Sequence, residues 1–382
     1  MTEKRKVMVG LSGGVDSAVA AWILKEQGYD VTCAFMRNWD SLTNDDILGN
    51  PTLNDDVCSQ EQDWADAKAA ADKLGLPLLR VDFVQEYWTE VFRRFLDDYR
   101  KGRTPNPDIL CNRYIKFDSF LKFRDENGFD TVATGHYAKM VKMDGHNIIA
   151  KADDRNKDQS YFLAQVKKEV LDDVLFPLGS IDKPEVRRIA HELDLNVAEK
   201  KDSTGICFIG ERQFRQFLSN YLPMKSGRIV NLPTHETVGE HKGVLYYTIG
   251  QRKGLDIGGT GPYFVIGKDV QENILYVTDA AHQDLLYSDS CLVTGVNLLS
   301  SRMIEGDLCA KFRYRQNDNP VSVKVLDENS VLVSYPQTVR SVTPGQQAVF
   351  YDGDIMLGGG TIDAVYRNGQ DLMNCIITEG KK

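Results

Sequence analysis

The sequence lacks three features, and each absence excludes a class of protein. No run of about 18 uncharged apolar residues occurs among the 382 residues, so no membrane span is predicted. The basic start at residues 2–6 precedes an apolar segment that contains Asp16 and a Ser-Gly-Gly sequence, which is not a targeting pattern. The seven cysteines include no Cys-x-x-Cys pair, which argues against a structural zinc site and for a reducing compartment. The expected location is the cytoplasm.

The net charge of −9 disfavours a nucleic-acid partner, because phosphate contacts need Lys and Arg. Net charge does not reveal local patches, however. Short basic clusters occur at 93–103, 139–142, 151–157 and 311–315. Each cluster is a candidate binding surface, and each could also be an ordinary solvated face.

The most informative stretch lies between a short apolar run at 6–10 and an amphipathic helix pattern. It consists of Gly10, Leu11, Ser12, Gly13, Gly14, Val15, Asp16 and Ser17. Backbone amides freed by the two adjacent glycines, the two serine hydroxyls and the positive end of the helix dipole favour an anion, and a nucleotide pyrophosphate fits best. No Gly-Lys-Ser/Thr sequence follows, so this is not a Walker A loop. The alternative is an ordinary strand-to-helix turn.

The first two hundred residues alternate strand and helix patterns, which predicts an α/β domain with a doubly wound parallel sheet. Strands are predicted at 7–10, 31–36, 77–83 and 130–134, and helices at 16–27, 61–74, 86–100, 112–127 and 182–193. Because ligands bind at the carboxyl edge of such sheets, Gly13, Met36 and Gly135 are expected to line one crevice. Met36 and Tyr137 could instead be packing residues.

Beyond a helix at 211–221 the pattern changes to short alternating strands separated by turn signals. Strands are predicted at 227–230, 242–248, 263–268, 273–277, 321–325, 331–335, 346–351 and 356–362. This is an all-β region, either a small sandwich or a barrel. We expect a catalytic domain at 1–210, a small central domain of one helix and strands at 211–281, and a C-terminal β-barrel at 282–382.

Two cysteines have unusually specific surroundings. Cys111 follows a loop with two stiffening prolines, and a helix is predicted to begin just after the thiol, where the helix N-terminus would lower its pKa. Cys207 lies near two lysines and between two glycines. Both are predicted to be reactive. Four others, Cys33, Cys291, Cys309 and Cys375, are expected to be buried small hydrophobes, and Cys58 is ambiguous.

Eight stretches, in order along essentially the whole chain, match one known family. They are Ser-Gly-Gly-Val-Asp-Ser at 12–17, Met-Arg-Asn-Trp at 36–39, Thr-Pro-Asn-Pro-Asp-Ile-Leu-Cys-Asn at 104–112, Ala-Thr-Gly-His-Tyr-Ala at 133–138, Lys-Asp-Gln-Ser-Tyr-Phe-Leu at 157–163, Ser-Thr-Gly-Ile-Cys-Phe-Ile-Gly at 203–210, Tyr-Thr-Ile-Gly-Gln-Arg-Lys-Gly-Leu at 247–255 and Val-Thr-Pro-Gly-Gln at 342–346. The chain thus resembles the bacterial tRNA-specific 2-thiouridylases. The first stretch also resembles the loop of the ATP pyrophosphatases, whose adenine nucleotide alpha hydrolase-like fold the resemblance implies.

The resemblance implies a two-stage reaction. ATP bound at 10–17, with Met36 and Gly135, transfers AMP to the C2 carbonyl oxygen of a tRNA uridine and releases pyrophosphate. Cys207 then carries sulfur as a persulfide, and Cys111 attacks it, leaving a Cys111–Cys207 disulfide. Asp108 is implied as a general acid or base, although it could equally be a turn residue. A carboxylate beside a triphosphate, Asp16, also predicts a magnesium ion between them.

The resemblance further implies how tRNA is held. The target base, flipped out of the anticodon stack, is held by Asn106, Pro107 and Asp108. Further tRNA contacts are implied at His136, Lys157, Asp158, Gln159, Arg313, Tyr314 and Gln346. A guanidinium beside a phenol, at 313–314, suits this role independently because one binds phosphate and the other stacks on a base. The histidine could otherwise be a hydrogen-bonded residue at a strand end.

The implied partners are the anticodon arms of lysine, glutamate and glutamine tRNAs, with a cysteine desulfurase or a sulfur-relay protein as sulfur donor. Two other functions stay open at this point. One is another ATP pyrophosphatase, a synthetase that adenylates a small acid and then adds an amine, which needs no cysteine pair. The other is a non-catalytic RNA-binding or sulfur-carrier protein, which the intact Ser12, Asp16, Asp108 and cysteine pair disfavour.

Overall fold

The first part of the chain folds around a parallel sheet. A computed structural model describes residues 4–53, 59–143, 145–202, 209, 212–258, 261–300 and 304–382. The strands of this part are β1 (Lys6–Gly10), β2 (Asp30–Arg37), β3 (Leu78–Asp82), β4 (Thr131–Ala133), β5 (Ala138–Met143), β6 (His146–Lys151) and β7 (Val174–Leu175). Five of them form a parallel sheet in the order β3-β2-β1-β4-β7. The predicted α/β fold is therefore confirmed.

Helices cover both faces of this sheet. They are α1 (Val15–Glu26), α2 (Ser59–Leu74), α3 (Val84–Glu86), α4 (Arg93–Arg100), α5 (Pro107–Cys111), α6 (Phe120–Glu126) and α7 (Lys183–Glu192). π-Helical stretches at Tyr87–Phe92 and Asn112–Ser119 join α3 to α4 and α5 to α6. Successive side chains of β1 point to opposite faces, so Val7 and Val9 enter one hydrophobic core and Met8 the other. This is the two-sided burial that a doubly wound sheet requires.

The middle of the chain forms a second, smaller sheet. After α8 (Phe214–Ser219) come β8 (Gly227–Asn231), β9 (Glu236–His241), β10 (Phe264–Asp269) and β11 (Ile274–Thr278), arranged β10-β11-β8-β9. The strand predicted at 242–248 is wrong, because a 3₁₀ turn covers Val244–Tyr246. Gly243 precedes it with φ +132°, and the run is apolar because a turn is buried there. A short apolar run alone does not distinguish a buried strand from a buried turn.

The last hundred residues form a closed barrel. Its strands are β12 (Tyr287–Leu298), β13 (Gly306–Lys311), β14 (Asn319–Asp327), β15 (Ser330–Arg340), β16 (Gln347–Asp352) and β17 (Ile355–Arg367). They run in the order β12-β15-β14-β13-β16-β17, and β17 pairs again with β12, which closes six strands into a ring. The short β18 (Gln370–Asp371) and α9 (Leu372–Gly380) follow. Of the two architectures left open, the barrel is the observed one.

Strand pairing joins the barrel to the first domain. β5 and β6 form a hairpin that the sequence did not predict, and Ala150 of β6 pairs with Ile355 of β17. Buried Lys151 strengthens this junction, since its ammonium contacts Asp318 at 2.5 Å and lies over the ring of Tyr351. Within the described ranges, every helix is too short or too polar to traverse a lipid bilayer.

Candidate active site

The loop between β1 and α1 is built around a glycine that nothing else can replace. Gly13 has φ +74°, and a Cβ added there would lie 2.3 Å from the carbonyl oxygen of Asp63 in α2. Ser17 Oγ donates to the carbonyl of Gly14 at 3.0 Å and accepts from the amide of Ser12 at 3.1 Å. The hydroxyls thus hold the loop over the first turn of α1, the end of a helix that favours anions.

Met36 and Gly135 lie against this loop. A Cβ at Gly10 would come 3.1 Å from Met36 Cε, and a Cβ at Gly135 would come 2.9 Å from the backbone nitrogen of Ser17. The residues expected to line one crevice are therefore brought together at the carboxyl edge of the sheet. Only a glycine at position 135 allows the β4 loop to approach α1 so closely.

Among the described residues, Asp16 contacts Tyr137 and Lys183. Tyr137 donates its hydroxyl to Asp16 Oδ1 at 2.7 Å, and Lys183 Nζ lies 2.7 Å from Oδ1 and 2.9 Å from Oδ2. Burial and the neighbouring carboxylate of Asp16 raise the pKa of Tyr137, which keeps the phenol a proton donor. Sequence reasoning missed Lys183, because a lysine at the start of an amphipathic helix resembles an ordinary exposed charge.

The same lysine reaches the segment that leads toward Cys207. Lys183 Nζ also lies 2.6 Å from Asp202 Oδ1, and Lys157 Nζ lies 2.6 Å from Asp202 Oδ2. Burial alone would raise the pKa of Asp202, but its hydrogen bonds to these two ammonium groups lower that pKa to about 2. Arg187 adds a third cation at 3.1 Å. Cys207 itself lies outside the described residues, as does its pairing with Cys111.

A second missed lysine holds the other side of the loop. Lys200 Nζ donates to the carbonyl of Gly13 at 2.9 Å and pairs with Asp63 at 2.8 Å and Asp66 at 2.6 Å. The loop has no lysine of its own, and Lys183 and Lys200 contact it from other parts of the chain. Among the residues that the structure describes, no three His, Cys, Asp or Glu side chains cluster as a protein-only metal site would require.

The helix that carries Cys111 begins earlier than predicted. Asn106 caps it, its Oδ1 accepting from the amide of Asp108 at 3.1 Å, and Pro107 occupies the first turn. A continuous helical run through α5, the π-helical stretch and α6 follows, so the expectation of a helix starting just after the thiol is wrong. The capping asparagine and N-terminal proline explain the earlier start. Cys111 lies inside the helix, and its side chain is fully buried.

The other cysteines divide by environment. Cys33 and Cys291 are buried as predicted, and burial raises the pKa of both thiols to about 12. Cys309 is half-buried in β13. Cys375 is exposed, which contradicts its expected burial, because it lies on the outer side of the terminal helix α9.

His136 is buried and hydrogen-bonded. Its Nδ1 lies 2.7 Å from Thr134 Oγ1, and its ring packs between Phe117 and Phe176. Burial, and to a lesser extent the charge of Lys116, hold its pKa well below the ordinary value. A tRNA contact by this side chain would therefore be a hydrogen bond rather than an ion pair with phosphate.

The residues expected to contact tRNA differ in their freedom to do so. Asp158 is buried and accepts hydrogen bonds from the amides of Ala152 and Ser160. Gln159 Oε1 accepts from the amide of Tyr137 at 3.0 Å. Lys157 is only about one-third exposed and pairs with Asp202. Of these three side chains, Lys157 has the charge and exposure that suit a phosphate.

Arg313 and Gln346 donate to protein carbonyls. Arg313 Nη2 bonds to the carbonyls of Ile249 and Ser341 at 2.8 and 2.9 Å, and Gln346 Nε2 bonds to the carbonyl of Thr104 at 2.7 Å. Both side chains therefore join parts of the protein, whatever else they touch. Both contacts involve the turn at residues 341–346, because Arg313 bonds to Ser341 and Gln346 is the last residue of the turn.

Tyr314 borders a polar cleft between the barrel and the first domain. The cleft has a volume of about 820 Å³ and is lined by Lys151, Arg155, Asn156, Asp158, Lys311, Tyr314, Arg315, Gln316, Asn317, Asp318 and Asp354. The ring of Tyr314 lies 4.4 Å from that of Phe162, so one part of it is packed. Arg315 is exposed at the cleft.

Comparison with known proteins decides the family. Residues 5–211 match a family described as tRNA methyl transferase HUP domain, residues 215–279 its PRC-barrel domain, and residues 288–362 an aminomethyltransferase beta-barrel domain. The tRNA-specific 2-thiouridylase MnmA of Mycoplasma mycoides subsp. mycoides SC is 53% identical over 374 residues, covering 95% of this chain and all of the relative. The chain belongs to the tRNA-specific 2-thiouridylase family.

Other members are equally similar over their length. The 2-thiouridylase of Acholeplasma laidlawii is 52% identical over 96% of this chain and 98% of its own, and that of Bacillus cytotoxicus is 50% identical over 97% and 98%. Among solved structures, a 4-thiouridine synthetase in complex with RNA and bound ATP shares 15% identity over 56% of this chain and 50% of that chain, with a TM-score of 0.32. The family model and the curated relatives confirm the resemblance drawn from the sequence motifs.

Proposed function

We propose that this 2-thiouridylase adenylates the C2 carbonyl oxygen of the wobble uridine in tRNA and replaces that oxygen with sulfur. The observation that carries the proposal is the network Tyr137–Asp16–Lys183–Asp202. It joins residues 10–17, here called the phosphate loop, to Asp202, which lies five positions before Cys207 in the sequence. An anion-binding loop alone would suit a small-molecule synthetase equally well. In this protein, ion pairs connect the loop to Asp202, which precedes Cys207 in the sequence.

The chemistry explains why both parts are needed. The C2 carbonyl is a poor electrophile, and direct attack by sulfur would have to expel oxide. Transfer of AMP to the oxygen releases pyrophosphate and makes AMP the leaving group. Cys111 then attacks the Cys207 persulfide, the terminal sulfur leaves as hydrosulfide and displaces AMP, and a disulfide remains. A thiol reductant must return two electrons before the next turnover.

ATP would be held by residues 10–17 with Met36 and Gly135, because the loop presents backbone amides and a helix N-terminus at one point. Lys183 and Lys200 would supply the positive charge that the loop lacks. Magnesium fits as an ion bound mainly by the phosphates and one carboxylate, that of Asp16, which it would share with Lys183. When bound, it would neutralise charge on the departing pyrophosphate.

The tRNA would lie across the cleft and the edge of the first domain. Asn106, Pro107 and Asp108 would hold the flipped base, Lys157 and Arg315 would meet phosphates, and Tyr314 would offer a stacking surface. His136 would hydrogen-bond as a neutral ring. The anticodon arms of lysine, glutamate and glutamine tRNAs, and a cysteine desulfurase or sulfur-relay protein as donor, are the partners that this proposal carries forward.

The decisive test is incubation with ATP, a persulfide source and unmodified tRNA, followed by nucleoside mass analysis. We expect 2-thiouridine to form only when all three are present, together with AMP and pyrophosphate. Pyrophosphate release that ignores tRNA would favour a small-molecule synthetase. The absence of pyrophosphate release under every condition would favour a non-catalytic RNA-binding or sulfur-carrier protein.

A further inference from the structure

The turn between β15 and β16 packs directly on the loop that leads to Asp108. The amide of Thr104 donates to the carbonyl of Pro344 at 2.9 Å, and the side chain of Gln346 donates to the carbonyl of Thr104 at 2.7 Å. Both backbone polar groups of a buried residue are thus satisfied by the barrel rather than by its own domain.

The approach is so close that it specifies a glycine. Gly345 has φ +93°, and a Cβ there would lie 2.8 Å from the amide nitrogen of Thr104 and 2.9 Å from Arg103 Cβ. An ion pair between Arg103 and Asp363 of β17 fixes the preceding residue to the same barrel. Three independent contacts therefore hold residues 103–104.

The opposite side of the turn contacts Arg313 of the barrel and the middle domain at residues 215–279. Arg313 Nη2 donates to the carbonyl of Ser341 at 2.9 Å, to Thr343 Oγ1 at 2.8 Å and to the carbonyl of Ile249 at 2.8 Å. A Cβ at Gly250 would lie only 2.4 Å from Ser341 Oγ. The turn is therefore clamped between the middle domain and the loop of the first domain.

We propose that the turn at residues 341–346 is a positioning element for the base-holding loop at 104–108, and that Arg313 and Gln346 are positioning residues that act through it. The inference rests on the function proposed above. Two prolines stiffen the loop, so a shift at Thr104 is transmitted to Asp108 rather than absorbed. Misplacement by about 1 Å costs roughly 100-fold in rate, which makes such a clamp consequential.

The first experiment separates positioning from tRNA binding. For Gln346→Ala we expect the single-turnover rate of 2-thiouridine formation at saturating tRNA to fall by roughly tenfold or more. The dissociation constant for tRNA should be unchanged. A weaker tRNA affinity with an unchanged saturating rate would make Gln346 a direct tRNA contact and overturn the inference. Wild-type rate together with wild-type affinity would overturn it as well.

The second experiment uses the ion pair. Arg103→Asp and Asp363→Arg should each lower the same rate, and the double variant should restore most of it, because the pair is re-formed with its charges exchanged. Arg188→Ala is the matched control, because it also breaks ion pairs, with Glu185 and Glu192, that lie within α7. Its rate should equal that of the wild type.

Thermal unfolding midpoints show whether each variant is folded. If one of the single variants does not fold, the double variant still tests the inference. A double variant that is folded but as slow as the single ones would overturn the inference. If the wild-type protein itself forms no 2-thiouridine, the proposed function fails. If the wild type is active and the variants match it, only the positioning role fails.

Discussion

Lys183 bridges Asp16 and Asp202, with its ammonium 2.7 Å from one carboxylate and 2.6 Å from the other. One carboxylate belongs to the phosphate loop and the other to the segment that leads to Cys207. A triphosphate placed at the loop would compete with both carboxylates for this cation. The residue therefore links the loop at 10–17 to the region that the proposed sulfur transfer uses.

Lys183→Met should raise the KM for ATP and slow pyrophosphate release, because Asp16 would then face the phosphates without its cation. We expect a change of roughly tenfold, about 1.4 kcal/mol. Affinity for tRNA should stay the same. Arg188→Ala is the control on the same helix, since Arg188 is exposed and forms its ion pairs with Glu185 and Glu192 of α7. Unchanged ATP kinetics in the lysine variant would remove it from the site.

Cys207→Ser should abolish thiolation while leaving ATP and tRNA binding intact, because a hydroxyl cannot carry sulfane sulfur and residues 10–17 are untouched. Near-wild-type 2-thiouridine formation by this variant would exclude Cys207 as the carrier. The measurement is nucleoside mass analysis beside equilibrium binding of each ligand.

Cys111→Ser should fail in multiple turnover yet retain persulfide loaded on Cys207, because the attacking thiol is missing and the carrier is not. Persulfide labelling of the intact protein checks this. Loss of the label would contradict the order of roles assigned to the two cysteines.

Stability should fall as pH drops below about 6.5, in part because of His136. Its pKa in the folded protein lies well below the ordinary value, so the unfolded chain binds the proton first on acidification. The contribution of His136 to stability is therefore complete at pH values above its pKa in the unfolded chain. It is lost as the pH falls toward its pKa in the folded protein. Thermal unfolding of His136→Phe between about pH 7 and 5 should show a shallower decline than wild type.

Arg315→Ala and Arg313→Ala should differ although the residues are two positions apart. The exposed Arg315 should contribute a phosphate contact, so its loss should weaken tRNA binding and lower the log–log salt slope by roughly 0.7 to 0.9. Arg313 holds protein carbonyls, so its loss should slow thiolation with little change in that slope. Identical salt slopes for both variants and wild type would place the RNA elsewhere.

Local patterns predicted the strand, loop and helix at the phosphate site because each is decided by neighbours in sequence. The glycine after α1, Gly28, and the N-cap of α7, Asp182, are signals of the same kind. The start of α5 was missed because Asn106-Pro107 suits both a loop and a helix cap, and only the backbone distinguishes them. Lys183 and Lys200 were missed because an ammonium on an amphipathic helix or in a polar loop carries no mark of its partner.

The contacts that join the domains were beyond sequence reasoning for a different reason. Gln346 and Thr104, or Ala150 and Ile355, meet only after the chain has folded. The family resemblance identified Gln346, but it could not identify Thr104 as its hydrogen-bond partner. Such pairings depend on the placement of whole domains rather than on propensity.

The pairing of β6 with β17 has a consequence for biosynthesis. Ala150 leaves the ribosome long before Ile355, so the outer edge of the β5–β6 hairpin has no strand to pair with while most of the chain is still being made. An unpaired edge is a site where nascent chains associate wrongly. Emergence of β17, rather than completion of the first domain, is thus the moment at which this edge is protected, and chains truncated before β17 should be prone to aggregate.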